Sequence, residues 1–158
     1  MHFIFTSYTS SPEFNCPNAW LRRIDFYTGI LEKLAETHKV TAIEHINYSG
    51  VLKQNGVRYL FQPLEKKVIR FPFRKHQLMK KMKPDVVFIN GFIFPWQIIQ
   101  LRLQLGSNTR IIILHRAEKP FSGYKAILQK IADKFVSAYF FSSFGRAIYA
   151  FISFGTPG

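Results

Sequence analysis

Residues 85–115 read DVVFINGFIFPWQIIQLRLQLGSNTRIIILH, and this stretch decides the fold class. Asp85–Asn90 and Arg110–His115 are short, β-branched apolar runs that do not alternate apolar with polar side chains. Each is therefore expected to be a strand buried on both faces, as in a parallel sheet covered by helices. Between them, Pro95–Leu105 has proline at its start and Gly106 just past its end, the asymmetry expected of a helix.

The alternation continues outward in both directions. Upstream, His2–Tyr8 is a short apolar run suited to a buried strand, followed by the polar loop Thr9–Cys16. Pro17-Asn18 then opens a helix whose Trp20, Ile24, Tyr27, Leu31 and Leu34 share one face. Lys39–Ile46 and Val57–Gln62 are β-like, separated by the turn residues Asn47-Tyr48-Ser49-Gly50. Phe73–Met82 is expected to be a basic helix ended by Pro84. Downstream, Tyr124, Ile127, Leu128, Ile131 and Phe135 mark an amphipathic helix, and Ala138–Ser142 is a sixth strand. The expectation is an α/β, three-layer Rossmann-like domain with a mainly parallel sheet of about six strands, spanning residues 1–145. Residues 146–158 are expected to be a truncated or atypical tail, because Arg146–Phe154 is apolar without a clear period.

Composition narrows the function classes. A chain of 158 residues with 47% hydrophobic and 16% aromatic side chains is too apolar to be disordered. A lone cysteine, Cys16, excludes a disulfide scaffold and points to a reducing compartment, so the expected location is cytoplasmic. Val136–Phe154 holds 13 apolar residues in 19, yet its serines and the central Arg146 weigh against a membrane span. Five histidines and one cysteine show no metal-ligand spacing, so no metal is expected. GxGxxG and P-loop signatures are absent, which argues against dinucleotide oxidoreduction and nucleotide hydrolysis. The formal net charge of +13 directs attention to anionic partners.

In an open parallel sheet, ligands bind outside the carboxyl ends of the strands. His115-Arg116-Ala117-Glu118-Lys119 is the densest ionisable group at such an end. His115 is suited to general-base work or to hydrogen bonding a sugar or phosphate oxygen. Arg116 and Lys119 are suited to neutralising phosphate, and Glu118 to orienting the imidazole. The competing reading is a solvated loop with a local ion pair. Ser10 and Ser11, after the first strand, offer donors to phosphate or act as plain turn residues. Asn90 and Gly91 close another strand on the same edge.

Lys66, Lys67, Arg70, Arg74, Lys75, Lys80, Lys81 and Lys83 form a basic run with no acid from Lys66 to Pro84. Phe71, Phe73, Leu78, Met79 and Met82 are interleaved with it. The run reads as a solvated face, as an anionic membrane surface contact, or as a phosphate-backbone contact. No nucleic-acid-binding motif stands nearby, so nucleic acid is the least favoured partner.

Four features in order resemble the N-terminal domain of a GT-B fold glycosyltransferase of the family-4-like type. They are the first strand, its polar loop and a long helix over Asn18–Thr37; Lys83-Pro84-Asp85-Val86-Val87-Phe88-Ile89-Asn90-Gly91; Ile111-Ile112-Ile113-Leu114-His115; and Ala132-Asp133 followed by Lys134 to Ser143. The family's glycines after the first strand are absent, and Asn90 stands where a histidine is common. The resemblance implies transfer of a sugar from a nucleotide-sugar donor to an acceptor, with no further cofactor in this chain. His115 would lie near the donor sugar, with Arg116 and Lys119 on the same rim. It also implies a C-terminal domain, or a partner chain, that holds most of the donor, so residues 1–158 alone are expected to be inactive. The alternative is a non-catalytic α/β binding module that docks on an anionic membrane, at the inner face of the cell membrane, or on a partner through the basic segment 66–83.

Overall fold

The structure, a computed structural model, describes residues 1–91, 94–115, 121–141 and 149–151; at 115, 141 and 149–151 it describes the backbone alone. The elements run β1 (His2–Thr6), α1 (Pro17–Arg23), α2 (Asp25–Ala35), β2 (Lys39–Glu44), β3 (Gly50–Gln54), β4 (Val57–Phe61), α3 (Lys66–Ile69), α4 (Phe73–Met82), β5 (Val86–Asn90), α5 (Pro95–Leu105), β6 (Arg110–His115), α6 (Tyr124–Asp133), β7 (Ala138–Phe141) and β8 (Tyr149–Phe151).

All the strands join one sheet of eight, in the order β3-β4-β2-β1-β5-β6-β7-β8. The five central pairings are parallel; β3 with β4 and β7 with β8 are antiparallel. The fold is thus α/β with a mostly parallel sheet flanked by helices, compatible with a Rossmann-like domain. The sheet has two more strands than the six expected. β3 is half of a hairpin closed by Asn55-Gly56, whose φ angles of 48° and 81° suit the tight turn favoured between twisted strands. Gly56 also lies under α2, where an added Cβ would stand 3.2 Å from that of Ala35. β8 falls in the stretch expected to be a tail.

The helix expected over Asn18–Thr37 is two helices. Ile24, at φ −108° and ψ 22°, leaves the helical region between α1 and α2. Leu21, Ile24 and Leu31 still bury against the same cluster, together with Phe5, Val40, Ala42, Val57 and Tyr59. A second cluster takes the alternate residues Ile4 of β1 and Ile43 of β2, with Val87 and Ile89 of β5 and Ile111 and Ile113 of β6. These meet Met79 of α4, Ile98 and Leu101 of α5, and Ala132 of α6. Val86, Val87 and Ile89 are all buried, as the unbroken apolar run required.

Pro84 ends α4 as expected, and Lys83 before it takes the left-handed conformation at φ 48°. Arg102 fastens the far end of α5 by donating to the carbonyls of Gly106, Thr109 and Phe135, each at 2.7 Å. Among the described residues, no helix is long and apolar enough to cross a membrane.

Candidate functional site

β1 is the point where the chain reverses direction across the sheet. From β1 it moves to β2 on one side, then returns to β5 on the other. The loops leaving β1 and β5 therefore diverge at the carboxyl edge, the position where open α/β sheets form a crevice. Register places Thr6 beside Ile89, and Asn90 beside Leu114. Gly91 follows at φ 82°, a conformation that glycine adopts freely, and its N–H donates to the Leu114 carbonyl at 2.8 Å.

The sequence-derived candidates distribute along this edge. Ser10 and Ser11 leave β1 toward β2: the Ser11 N–H donates to the His45 carbonyl at 2.8 Å, and Ser11 bridges to Ile46. Asn90 and Gly91 lie across β1 from them. His115 is the last residue of β6, one strand beyond β5. Adjacent strands are about 4.8 Å apart, so the backbones of β1 and β6 are separated by roughly 10 Å. Arg116, Glu118 and Lys119 lie outside the described residues, as does most of 146–158.

Beneath the β1 loop sits a group of buried ionisable side chains that the sequence reading did not assemble. Lys75, taken there as part of a basic surface, is only 3% exposed. It lies on the inner face of α4, one turn before Met79, because positions four apart share a helix face. Its ammonium donates to the Ser7 carbonyl and to Nε2 of His45 at 2.8 Å, and stands 4.2 Å from the centre of the Tyr8 ring. The other ring nitrogen of His45 is 3.0 Å from the Gln62 carbonyl. A carbonyl only accepts, so His45 carries its proton on Nδ1 and offers a bare Nε2 to Lys75. The neighbouring His76 pairs through Nε2 with the Tyr8 hydroxyl at 2.7 Å, while its buried Nδ1 has no hydrogen-bond partner.

Burial dominates the electrostatics. It lowers Lys75 well below the usual lysine range, against the pull of Glu44. Burial, then the charge of Lys75, depresses His45 and His76 to about 3. Glu44, at the end of β2, is pushed up to about 7 by burial, although the Trp20 indole donates to it at 3.0 Å. Four ionisable groups are thus held toward their neutral forms where β1, β2 and α4 meet. Such strongly shifted groups concentrate at functional sites. Here their hydrogen bonds fix the path of the chain as it leaves β1, so they set where Ser10 and Ser11 stand.

The remaining basic run divides by position. Lys66, Lys67, Arg70 and Arg74 are exposed around α3 and the start of α4, whereas Lys80, Lys81 and Lys83 are exposed at the other end of α4. A ten-residue helix is about 15 Å long, so these are two separate groups. Among the described residues, no cluster of three or more His, Cys, Asp or Glu side chains is arranged to hold a metal ion. Comparison of the chain with protein families, with curated proteins and with solved structures finds no match.

Proposed function

We propose that this chain forms the acceptor-side domain of a GT-B-type glycosyltransferase, which moves a sugar from a nucleotide-sugar donor to an acceptor. The observation that carries the reading is the reversal of strand order at β1, with the ends of β1, β5 and β6 side by side at the carboxyl edge. In this reading the domain is three-layered, with α1 and α2 on one face of the sheet and α4, α5 and α6 on the other. The two apolar clusters on alternate strand residues support that arrangement.

His115 serves as the hydrogen-bonding or acid–base group at the donor sugar, with Arg116 and Lys119 neutralising phosphate and Glu118 orienting the imidazole. Ser10, Ser11, Asn90 and Gly91 form the acceptor wall. A second α/β domain, from further sequence or a partner chain, holds the nucleotide. Catalysis requires both reactants fixed against each other, a contribution of roughly 7–11 kcal/mol, and one wall of a cleft does not provide it.

The test uses the complete open reading frame with a panel of uridine and guanosine diphosphate sugars. Thermal shift identifies the donor, and release of the nucleoside diphosphate measures transfer. His115→Ala is expected to slow transfer by about 10²–10⁴-fold with an unchanged melting temperature. A panel without any shift, or an unaltered rate in the variant, would remove the proposal.

A further inference from the structure

One part of the basic run is accompanied by aromatic side chains that the packing does not use. Phe71, Phe73, Trp96 and Tyr124 are 45, 51, 38 and 70% exposed. Phe71 and Phe73 stack with ring centres 6.2 Å apart, and the Arg70 guanidinium lies 5.8 Å from the Phe71 ring centre. Arg70, Phe71, Phe94, Trp96, Tyr124 and Lys125 line a groove of about 480 Å³ between the turn that precedes α4 and the first turns of α5 and α6. These helices all begin at the carboxyl edge of the sheet, because each runs antiparallel to the strands it connects. Isolated exposed aromatics are ordinary, but several grouped beside cations mark an interaction surface.

We infer that this face docks on an anionic phospholipid bilayer. Three observations select that occupant. The first is composition: Trp, Tyr and Phe are the side chains that settle at the boundary between headgroups and acyl chains, with their rings inserted. The second is charge: Arg70 and Lys125 line the groove, exposed Lys66, Lys67 and Arg74 lie close to Phe71 and Phe73 in the chain, and Glu65 is the sole acid among residues 65–84. The third is the form of the surface: among the described residues, aromatic rings project beside the groove, and its cations are separated from Lys80, Lys81 and Lys83 by about the 15 Å length of α4. The two basic groups therefore do not join as one track for a polynucleotide backbone. The inference is independent of the transferase reading, since it concerns where the domain sits and not what it catalyses.

The basic run therefore acts through its first part. Lys75 is inside the protein, and Lys80, Lys81 and Lys83 lie about 15 Å away along α4.

The experiment is sedimentation of residues 1–158 with vesicles of phosphatidylcholine containing 30 mol% phosphatidylglycerol, against vesicles of phosphatidylcholine alone. Binding to the anionic vesicles alone is expected, weakening as salt rises. Arg70→Gln with Lys125→Gln should weaken binding about 25-fold, at roughly fivefold per cation near the surface. Phe71→Ser with Tyr124→Ser should weaken it at least tenfold at unchanged charge. Lys80→Gln, Lys81→Gln and Lys83→Gln together should change it less than threefold. Brominated acyl chains should quench tryptophan emission in the wild type and in Trp20→Phe, but not in Trp96→Phe. Equal losses in both charge variants would reduce the effect to net charge and overturn the inference. It would also fall if no vesicles bound, if neutral vesicles bound equally, or if a duplex oligonucleotide competed through the same residues. Circular dichroism of each variant confirms the fold, and the tryptophan quench decides the matter should one variant fail to fold.

Discussion

The two edges of one sheet are finished in different ways. At the amino edge, polar side chains close backbone groups. The His2 N–H donates to the Asp85 carboxylate at 2.6 Å, and the His2 ring spans the Met82 carbonyl and the Thr41 hydroxyl. Thr109 donates to the Pro84 carbonyl, and Arg102 fills three carbonyls. At the carboxyl edge, Lys75, His45, His76 and Glu44 are buried, shifted toward neutrality, and leave Nδ1 of His76 unmatched. The amino edge also buries one histidine, His2, which burial lowers below the usual imidazole range, but both of its ring nitrogens have partners. The carboxyl edge instead gathers four shifted groups in one place, one of them with an unpartnered ring nitrogen.

The strongest way to break this contrast is Lys75→Glu. It would place a carboxylate beside the Ser7 carbonyl and in the field of Glu44, and should cost about 3–5 kcal/mol. Lys75→Gln, which keeps N–H donors, should recover most of the loss in urea denaturation. A Lys75→Glu protein as stable as the wild type would show that the site is solvated.

A pH titration of stability separates the same groups. Buried bases with depressed pKa values bind fewer protons folded than unfolded, so they make stability rise with pH. His45 and His76 act from about 3 to 6.5, and Lys75 from its lowered value up to 10.5. Glu44, raised from 4.5 to about 7, has the opposite sign in that interval and offsets one histidine. The expected profile falls most steeply below pH 4.5 and keeps climbing above pH 7, with at most about 1.4 kcal/mol per pH unit for each proton. Lys75→Met should abolish the alkaline climb, and its persistence would assign the climb to another group.

At the opposite edge, Arg102→Ala should cost about 2 kcal/mol by stranding the part-buried carbonyls of Thr109 and Phe135, with no change in the slope of stability against pH. The smallest effect is expected at Lys83. Left-handed backbone costs a side chain about 1–2 kcal/mol, and the extra freedom of unfolded glycine takes back part of that. Lys83→Gly should therefore add roughly 0.5 kcal/mol, read as a melting temperature raised by a degree or two. A lower melting temperature would mean that the lysine stem packs.

The scaffold was more legible in the sequence than the site. The runs at 86–90 and 110–115 state their own burial, and Pro95 and Gly106 bound α5. Asn55-Gly56 was a readable turn signal that would have revealed β3. The buried cluster is harder to anticipate because its members lie at positions 8, 44–45 and 75–76, and only the return of α4 across β1 and β2 brings them together. Part of it was accessible even so. Lys75 and His76 share a face with Met79, and a helical-face reading of α4 would have turned them inward. Counting charge in a run hides that, since a tally ignores which way each side chain points.

The placement of β1 also governs the order in which the sheet is completed during synthesis. Phe3 pairs with Val40 on one side and with Val86 on the other. At about 5–20 residues per second, the ribosome needs roughly 2–9 s to add the residues that lie between those two partners. Throughout that interval β1 and β2 can meet, yet the opposite edge of β1, with its apolar Ile4 and Phe5, has no strand to bond. An unpaired apolar edge is a template for pairing with other chains. A nascent chain paused between the arrival of β2 and that of β5 is therefore the form of this protein most in need of a chaperone, and synonymous codons that slow the ribosome there should lower its soluble yield.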